Sequence, residues 1–211
     1  MTDACPRCAK PIRACICDRI EPAATKLRVV ILQHPQEDDE LLGTARLITL
    51  TLPRAELRVG LSWRSLGAAI GVDGAEPSRW AVLATTKLPA GARPTSATQP
   101  VLLYERSGKV RALKSHRLEG FIVLDGTWKQ AKTLWWRNPW LLKLPRLALT
   151  PREPSLYGKL RREPRREYVS TLEAVADILP ALGESEEVRA SLRRALRTLL
   201  QRVRDTEKPG A

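Results

Sequence analysis

Residues 120–131 read GFIVLDGTWKQA: an apolar, β-favouring run that ends in a carboxylate and a glycine, then a helix-opening pattern. Gly120–Gly126 has the density of apolar residues expected of a buried strand. Thr127 followed three residues later by Gln130 has the form of a capping box. A helix should therefore start at about Trp128 and end at Asn138-Pro139. Trp128, Ala131, Leu134 and Trp135 fall on one face of that helix, which makes Trp128 an anchor of helix to sheet. Asp125 sits at the junction. It is either the acceptor of an Asx-type turn or a group that faces a ligand, since a carboxylate is costly to desolvate without a reason. Gly126 fits both, as a tight turn or a close approach of backbone to ligand.

The rest of the chain repeats the alternation of short apolar strands with helical segments. Leu27–Pro35, Ala55–Leu61, Trp80–Thr86 and Val101–Tyr104 read as strands. Leu41, Leu42, Ala45 and Ile48 have helical spacing, and the Gly-rich connection over 67–74 has room for a short helix. Leu88–Pro100 reads as a loop, and a basic connection runs through Lys114. Two helices close the chain, at about Thr171–Leu182 and Glu184–Arg204. The second carries Val188, Leu192, Leu196, Leu199 and Leu200 on one face, which suits either its own domain or a second subunit. The fold class is α/β, a mostly parallel sheet with helices on both faces. Ligands of such sheets gather beyond the carboxyl ends of strands, where Asp125 lies.

All four cysteines fall within the first 17 residues, as Cys5, Cys8, Cys15 and Cys17. No apolar signal-peptide core precedes them and no run is long enough to span a bilayer, which places the chain in the cytoplasm and argues against disulfides. Four thiolates at this spacing can converge on one zinc ion with no open position, so the metal should be structural. The domains expected are a zinc-binding knuckle over 1–20 and a larger α/β domain over 21–211.

The 211 residues carry a net charge of +13, and the stretch from Arg106 to Ser170 holds +11 of it. Such a concentration of charge suits a polyanion such as RNA. Lys159, Arg161, Arg162, Arg165 and Arg166 crowd between Tyr157 and Tyr168, a mixture suited to phosphate contacts and base stacking. Ser170 and Glu173 then form a second capping-box pattern.

Together these stretches resemble the DTW-domain family. The matching residues are Asp125-Gly126-Thr127-Trp128 with Gln130 and Ala131, Leu160-Arg161 with Pro164, and Ser170-Thr171-Leu172-Glu173-Ala174. His34-Pro35-Gln36-Glu37 and the cysteine pattern, shared by bacterial members, extend the likeness from Cys5 to about Leu182. Two segments depart from the family pattern. Gly43-Thr44-Ala45 stands for its Asn-Thr-Gly, and Leu103-Tyr104-Glu105 lacks the proline of its Leu-Tyr-Pro.

The resemblance implies a SPOUT-related, knotted fold and a transferase that uses S-adenosylmethionine. The group moved would be 3-amino-3-carboxypropyl, the acceptor N3 of a tRNA uridine, and the coproduct 5′-methylthioadenosine. Asp125 would be the base or the group that orients the amino acid moiety. Thr44, Leu103, Leu124, Asp125, Gly126, Thr127, Trp128, Ala131, Ser170, Thr171 and Leu172 would line the cofactor site. Lys129, Lys132, Arg161, Arg162, Arg165 and Arg166 would contact tRNA. A SPOUT-type RNA methyltransferase and a zinc-ribbon RNA-binding protein without chemistry are the rival readings.

Overall fold

Strand β1 (Arg28–Gln33) sends its side chains alternately into two separate hydrophobic clusters, Val29 and Ile31 into one, Val30 and Leu32 into the other. The computed structural model describes residues 4–37, 41–83, 101–105, 107–113, 117–151, 153–158, 160 and 169–207. Strand β6 (Gly120–Asp125) alternates in the same way, Phe121 and Val123 against Ile122 and Leu124. Side chains two apart share a face, so both faces of the sheet are covered and the strands read as continuous apolar runs.

The other strands are β2 (Ala55–Val59), β3 (Trp80–Leu83), β4 (Val101–Tyr104), β5 (Val110–Arg111) and β7 (Arg146–Leu149). Among the described residues they form one seven-stranded sheet in the order β2-β1-β6-β3-β7-β4-β5. The pairs from β2 through β7 are parallel, whereas β7–β4 and β4–β5 are antiparallel. The sheet is thus mostly parallel, with an antiparallel edge that the alternation of elements did not foretell. Strand β7 was not predicted either. It is four residues between Pro145 and Pro151, too short for a clear pattern, and it pairs because β3 and β4 flank it.

Helices α1 (Ala45–Thr51), α4 (Thr171–Ala181) and α5 (Glu186–Glu207) cover one face; α2 (Leu66–Ile70) and α3 (Trp128–Arg137) cover the other. Helix α1 starts four residues later than the apolar spacing predicts, because Gly43 interrupts the pattern and Thr44 occupies the cap position. The leucine face of α5 is buried within its own chain, with Val188, Leu192, Leu196, Leu199 and Leu200 all in the main core. Each such side chain contributes roughly 1.5–3 kcal/mol. Asp177 of α4 pairs with Arg189 at 2.8 Å and Arg193 at 3.8 Å, fixing α4 against α5.

The cysteine segment joins the same core through Cys5, Cys8, Ala14 and Ile16. Residues 88–100, expected to be a loop, lie outside the described residues, as does Lys114. Among the described residues no helix is long and apolar enough to cross a membrane.

Candidate active site and metal centre

The parallel register of β1 and β6 sets Gln33 beside Asp125 at the carboxyl ends of both strands. Gln33 Nε2 donates to Asp125 Oδ2 at 2.8 Å. The main-chain N–H of His34 donates to the carbonyl of Asp125 at 3.1 Å, extending the ladder by one bond. From the other side Thr171, the first residue of α4, donates its hydroxyl to Asp125 Oδ1 at 2.5 Å. Asp125 is 8% exposed. Among the described residues each carboxylate oxygen therefore has one side-chain donor and keeps capacity for another.

Both capping boxes expected from the sequence are present. Thr127 Oγ1 accepts from Gln130 N–H, and Gln130 Oε1 accepts from Thr127 N–H at 2.6 Å. Gln130 Nε2 also donates to the carbonyl of Gln36 at 2.8 Å, which draws the His34–Glu37 turn against α3. At α4 the Ser170–Glu173 box is embedded in a larger network. Glu173, 1% exposed, accepts from Ser170 N–H, Ser170 Oγ, Ser155 Oγ and Leu156 N–H at 2.7–3.0 Å. Leu172 N–H donates to Thr44 Oγ1 at 3.3 Å. With Ser170, Leu172 and Glu173 N–H groups all satisfied, Thr171 N–H is the donor of this helix start left open among the described residues. It lies at the positive end of the helix, beside Asp125.

Gly126 has φ +137°, and a Cβ there would sit 2.9 Å from Gln130 Oε1 and 3.0 Å from Gln130 Cβ. Gly126→Ala is expected to cost about 1–3 kcal/mol from backbone strain and the displaced cap, read as a lower thermal midpoint. A midpoint equal to wild type would remove the steric argument.

The structure thus brings Thr44, Asp125, Gly126, Thr127, Ser170, Thr171 and Leu172 to one sheet end. Leu124 and Ala131 are buried in the cluster beneath α3. Leu103 lies on β4, three strands from β6, buried in the core cluster that also holds Leu172. Trp128 does not anchor α3 to the sheet. It is 45% exposed, and the cluster beneath the helix takes Ala131, Leu134 and the partly buried Trp135 instead. Lys129 and Lys132 are exposed on the same helix, while Arg161, Arg162, Arg165 and Arg166 lie outside the described residues. Sequence reading missed Gln33, which only the register reveals, and the place of Glu37, whose Oε2 is 3.5 Å from a Cβ built on Gly126.

At the N-terminal module the four cysteine sulfurs lie within 4.8 Å of one another. The Cys5–Cys17 and Cys8–Cys15 Sγ distances are both 3.8 Å. Tetrahedral ligation with Zn–S bonds of about 2.3 Å sets sulfurs about 3.8 Å apart, whereas a disulfide needs about 2.05 Å. The four could hold one metal ion. Backbone N–H groups of Cys8 and Arg7 lower the Cys5 thiol to about 6, whereas burial raises those of Cys15 and Cys17. A cation is what would keep all four as thiolates together.

A family model described as DTW domain matches residues 2–204. Three curated proteins named tRNA-uridine aminocarboxypropyltransferase 2 are similar to the chain. The Drosophila melanogaster protein is 29% identical over 206 residues, covering 92% of this chain and 72% of its own. The Mus musculus protein is 27% identical over 202 residues, with shares of 92% and 61%. The Macaca fascicularis protein is 26% identical over 203 residues, with the same shares. All three are animal proteins, whereas the resemblance read from the sequence was to bacterial members. No solved structure matches the chain.

Proposed function

Because the chain belongs to the DTW-domain family, we propose that it transfers the 3-amino-3-carboxypropyl group of S-adenosylmethionine to N3 of a tRNA uridine, releasing 5′-methylthioadenosine. The observation that carries the reading is the Asp125 carboxylate, held at the sheet end between Gln33 and Thr171 beside the Thr171 N–H at the start of α4. S-adenosylmethionine, when bound, supplies an electrophilic methionine Cγ and a thioether leaving group that departs with the C–S electron pair. Asp125 takes the proton from uridine N3 as the N3–Cγ bond forms, leaving a neutral product uridine. Gln33 and Thr171 hold the carboxylate in one orientation, so that little reorganisation is needed. Thr171 N–H and the positive end of α4 suit the methionine carboxylate. The SPOUT-like arrangement belongs to this proposal and is supported by β6 lying between β1 and β3 in a parallel sheet. Zinc in the four-cysteine module is supported by the tetrahedral sulfur spacing.

Incubation with S-adenosylmethionine and unmodified tRNA, followed by nucleoside mass spectrometry, tests the reaction. A uridine heavier by one aminocarboxypropyl group, with methylthioadenosine released, is expected. A methylated nucleoside would overturn the transferred group.

Lys129, Lys132, Arg161, Arg162, Arg165 and Arg166 are assigned to tRNA. Changing the four arginines to glutamine is expected to flatten the salt dependence of tRNA binding, by about 0.7–0.9 in slope for each phosphate no longer neutralised. S-adenosylmethionine affinity should stay unchanged. An equal fall in both affinities would refute this division of labour.

A further inference from the structure

Trp128, Lys132 and Trp136 lie four residues apart along α3 and so share one face. Trp128 is 45% and Trp136 71% exposed. Large aromatic side chains left in solvent usually mark a contact surface. Lys129 borders the same face, Lys132 stands between the two rings, and α3 contains no acidic residue. The stripe begins three residues after Asp125 and extends about 12 Å along the helix, at 1.5 Å per residue. Indole rings stack on the π-faces of unpaired bases, and lysines between them meet the phosphates.

We infer that this face of α3 is a stacking platform for unpaired bases of the tRNA substrate, leading away from the site at Asp125. It rests on the tRNA reading above. Trp136→Ala is expected to weaken tRNA binding about tenfold, in the range for one stacked base, with S-adenosylmethionine affinity within about twofold of wild type. Trp136→Phe should recover most of the affinity, and Lys132→Gln should lower the salt slope by about 0.7–0.9. Wild-type tRNA affinity in Trp136→Ala would overturn the platform, as would a Phe variant no better than Ala. A change of oligomeric state with tRNA affinity intact would make the face a contact between copies and overturn it too. If wild type bound no tRNA, the functional reading itself would fall and the platform with it.

A second, independent observation concerns the loop that carries Thr44. Lys10 Nζ donates to the carbonyls of Leu41 and Gly43, both at 2.8 Å, and Tyr157 donates its hydroxyl to the carbonyl of Leu42 at 2.6 Å. Lys10 is 2% exposed, and a buried ammonium stays only where its donors are met. Its main chain belongs to the cysteine turn: Cys5 N–H donates to the carbonyl of Lys10 at 2.8 Å, and Ala9 takes φ +57°. The geometry points to Lys10 as a positioning residue that ties the metal-holding module to Thr44, and through Leu172 to the start of α4.

In zinc-loaded protein, Lys10→Met is expected to keep its zinc. Hydrogen exchange at the Leu172 amide should rise, and the Kd and KM for S-adenosylmethionine should rise about tenfold, with kcat little changed. Chelating the metal from unaltered protein should do the same. Arg28→Met, which breaks the bonds to Glu56 and to the carbonyl of Ile70 at the other end of β1, should leave the Leu172 amide protected. Wild-type exchange in Lys10→Met, or equally fast exchange in Arg28→Met, would overturn the assignment. If wild type failed to bind S-adenosylmethionine, the functional reading would fall while Leu172 exchange still decided the tie.

Discussion

Asp125→Asn is expected to lower the transfer rate by about 10²–10⁴-fold, the usual range for loss of a general base. The amide keeps the size of the carboxylate and one acceptor oxygen, so the fold should survive and S-adenosylmethionine should still bind. Asp125→Ala should be at least as slow and less stable, since Gln33 Nε2 and Thr171 Oγ1 each lose their acceptor at a site 8% exposed. Each orphaned donor costs about 1–3 kcal/mol when buried. Single-turnover rates with saturating cofactor separate chemistry from binding. A full rate in Asp125→Asn would remove the base assignment. A higher KM with kcat intact would instead make Asp125 the group that orients the cofactor.

The second large effect is expected at Glu173. Its carboxylate gathers four donors from Ser155, Leu156 and Ser170, and so joins the 153–158 segment to the start of α4. Glu173→Ala leaves those donors without an acceptor in a site 1% exposed, a destabilisation of about 3–5 kcal/mol. For a chain of this length the thermal midpoint should fall by about 6–20 °C, at about 2–4 °C per kcal/mol. Glu173→Gln should also destabilise, because its amide nitrogen would replace an oxygen that only accepts. Calorimetry of both variants checks this; a glutamine variant as stable as wild type would show that the network tolerates a donor there. Thr171 follows Ser170 directly, so a displaced helix start should also separate Thr171 from Asp125 and depress the reaction.

Local chemistry was legible in the sequence. Thr127–Gln130 and Ser170–Glu173 cap their helices as their spacing predicts, because a capping box closes within four residues and needs no distant partner. The cysteines converge for a similar reason, since all four lie within 13 consecutive residues of one another. Trp128 was misread because an apolar pattern over 128–135 does not say where the helix axis will point. Ala131 and Leu134 satisfy the sheet without it.

The sequence by itself determined the strand runs of β1, β3, β4 and β6, the capped starts of α3 and α4, the clustering of the four cysteines and Asp125 as a carboxylate at a strand end. The tertiary structure alone decided what that carboxylate meets. Gln33 lies 92 residues from Asp125 and Thr171 lies 46 away. Thr44 reaches Leu172 across 128 residues, and Lys10 reaches Gly43 across 33. The pairings of Asp125 and Leu172 follow from the parallel register of β1 with β6 and from the packing of α4 on that sheet end, and that of Lys10 from the packing of the cysteine segment against the loop before α1. A one-residue slip of either strand would turn every side chain to the other face, so the register is set by burial of the whole strand and cannot be read from the residues that it brings together.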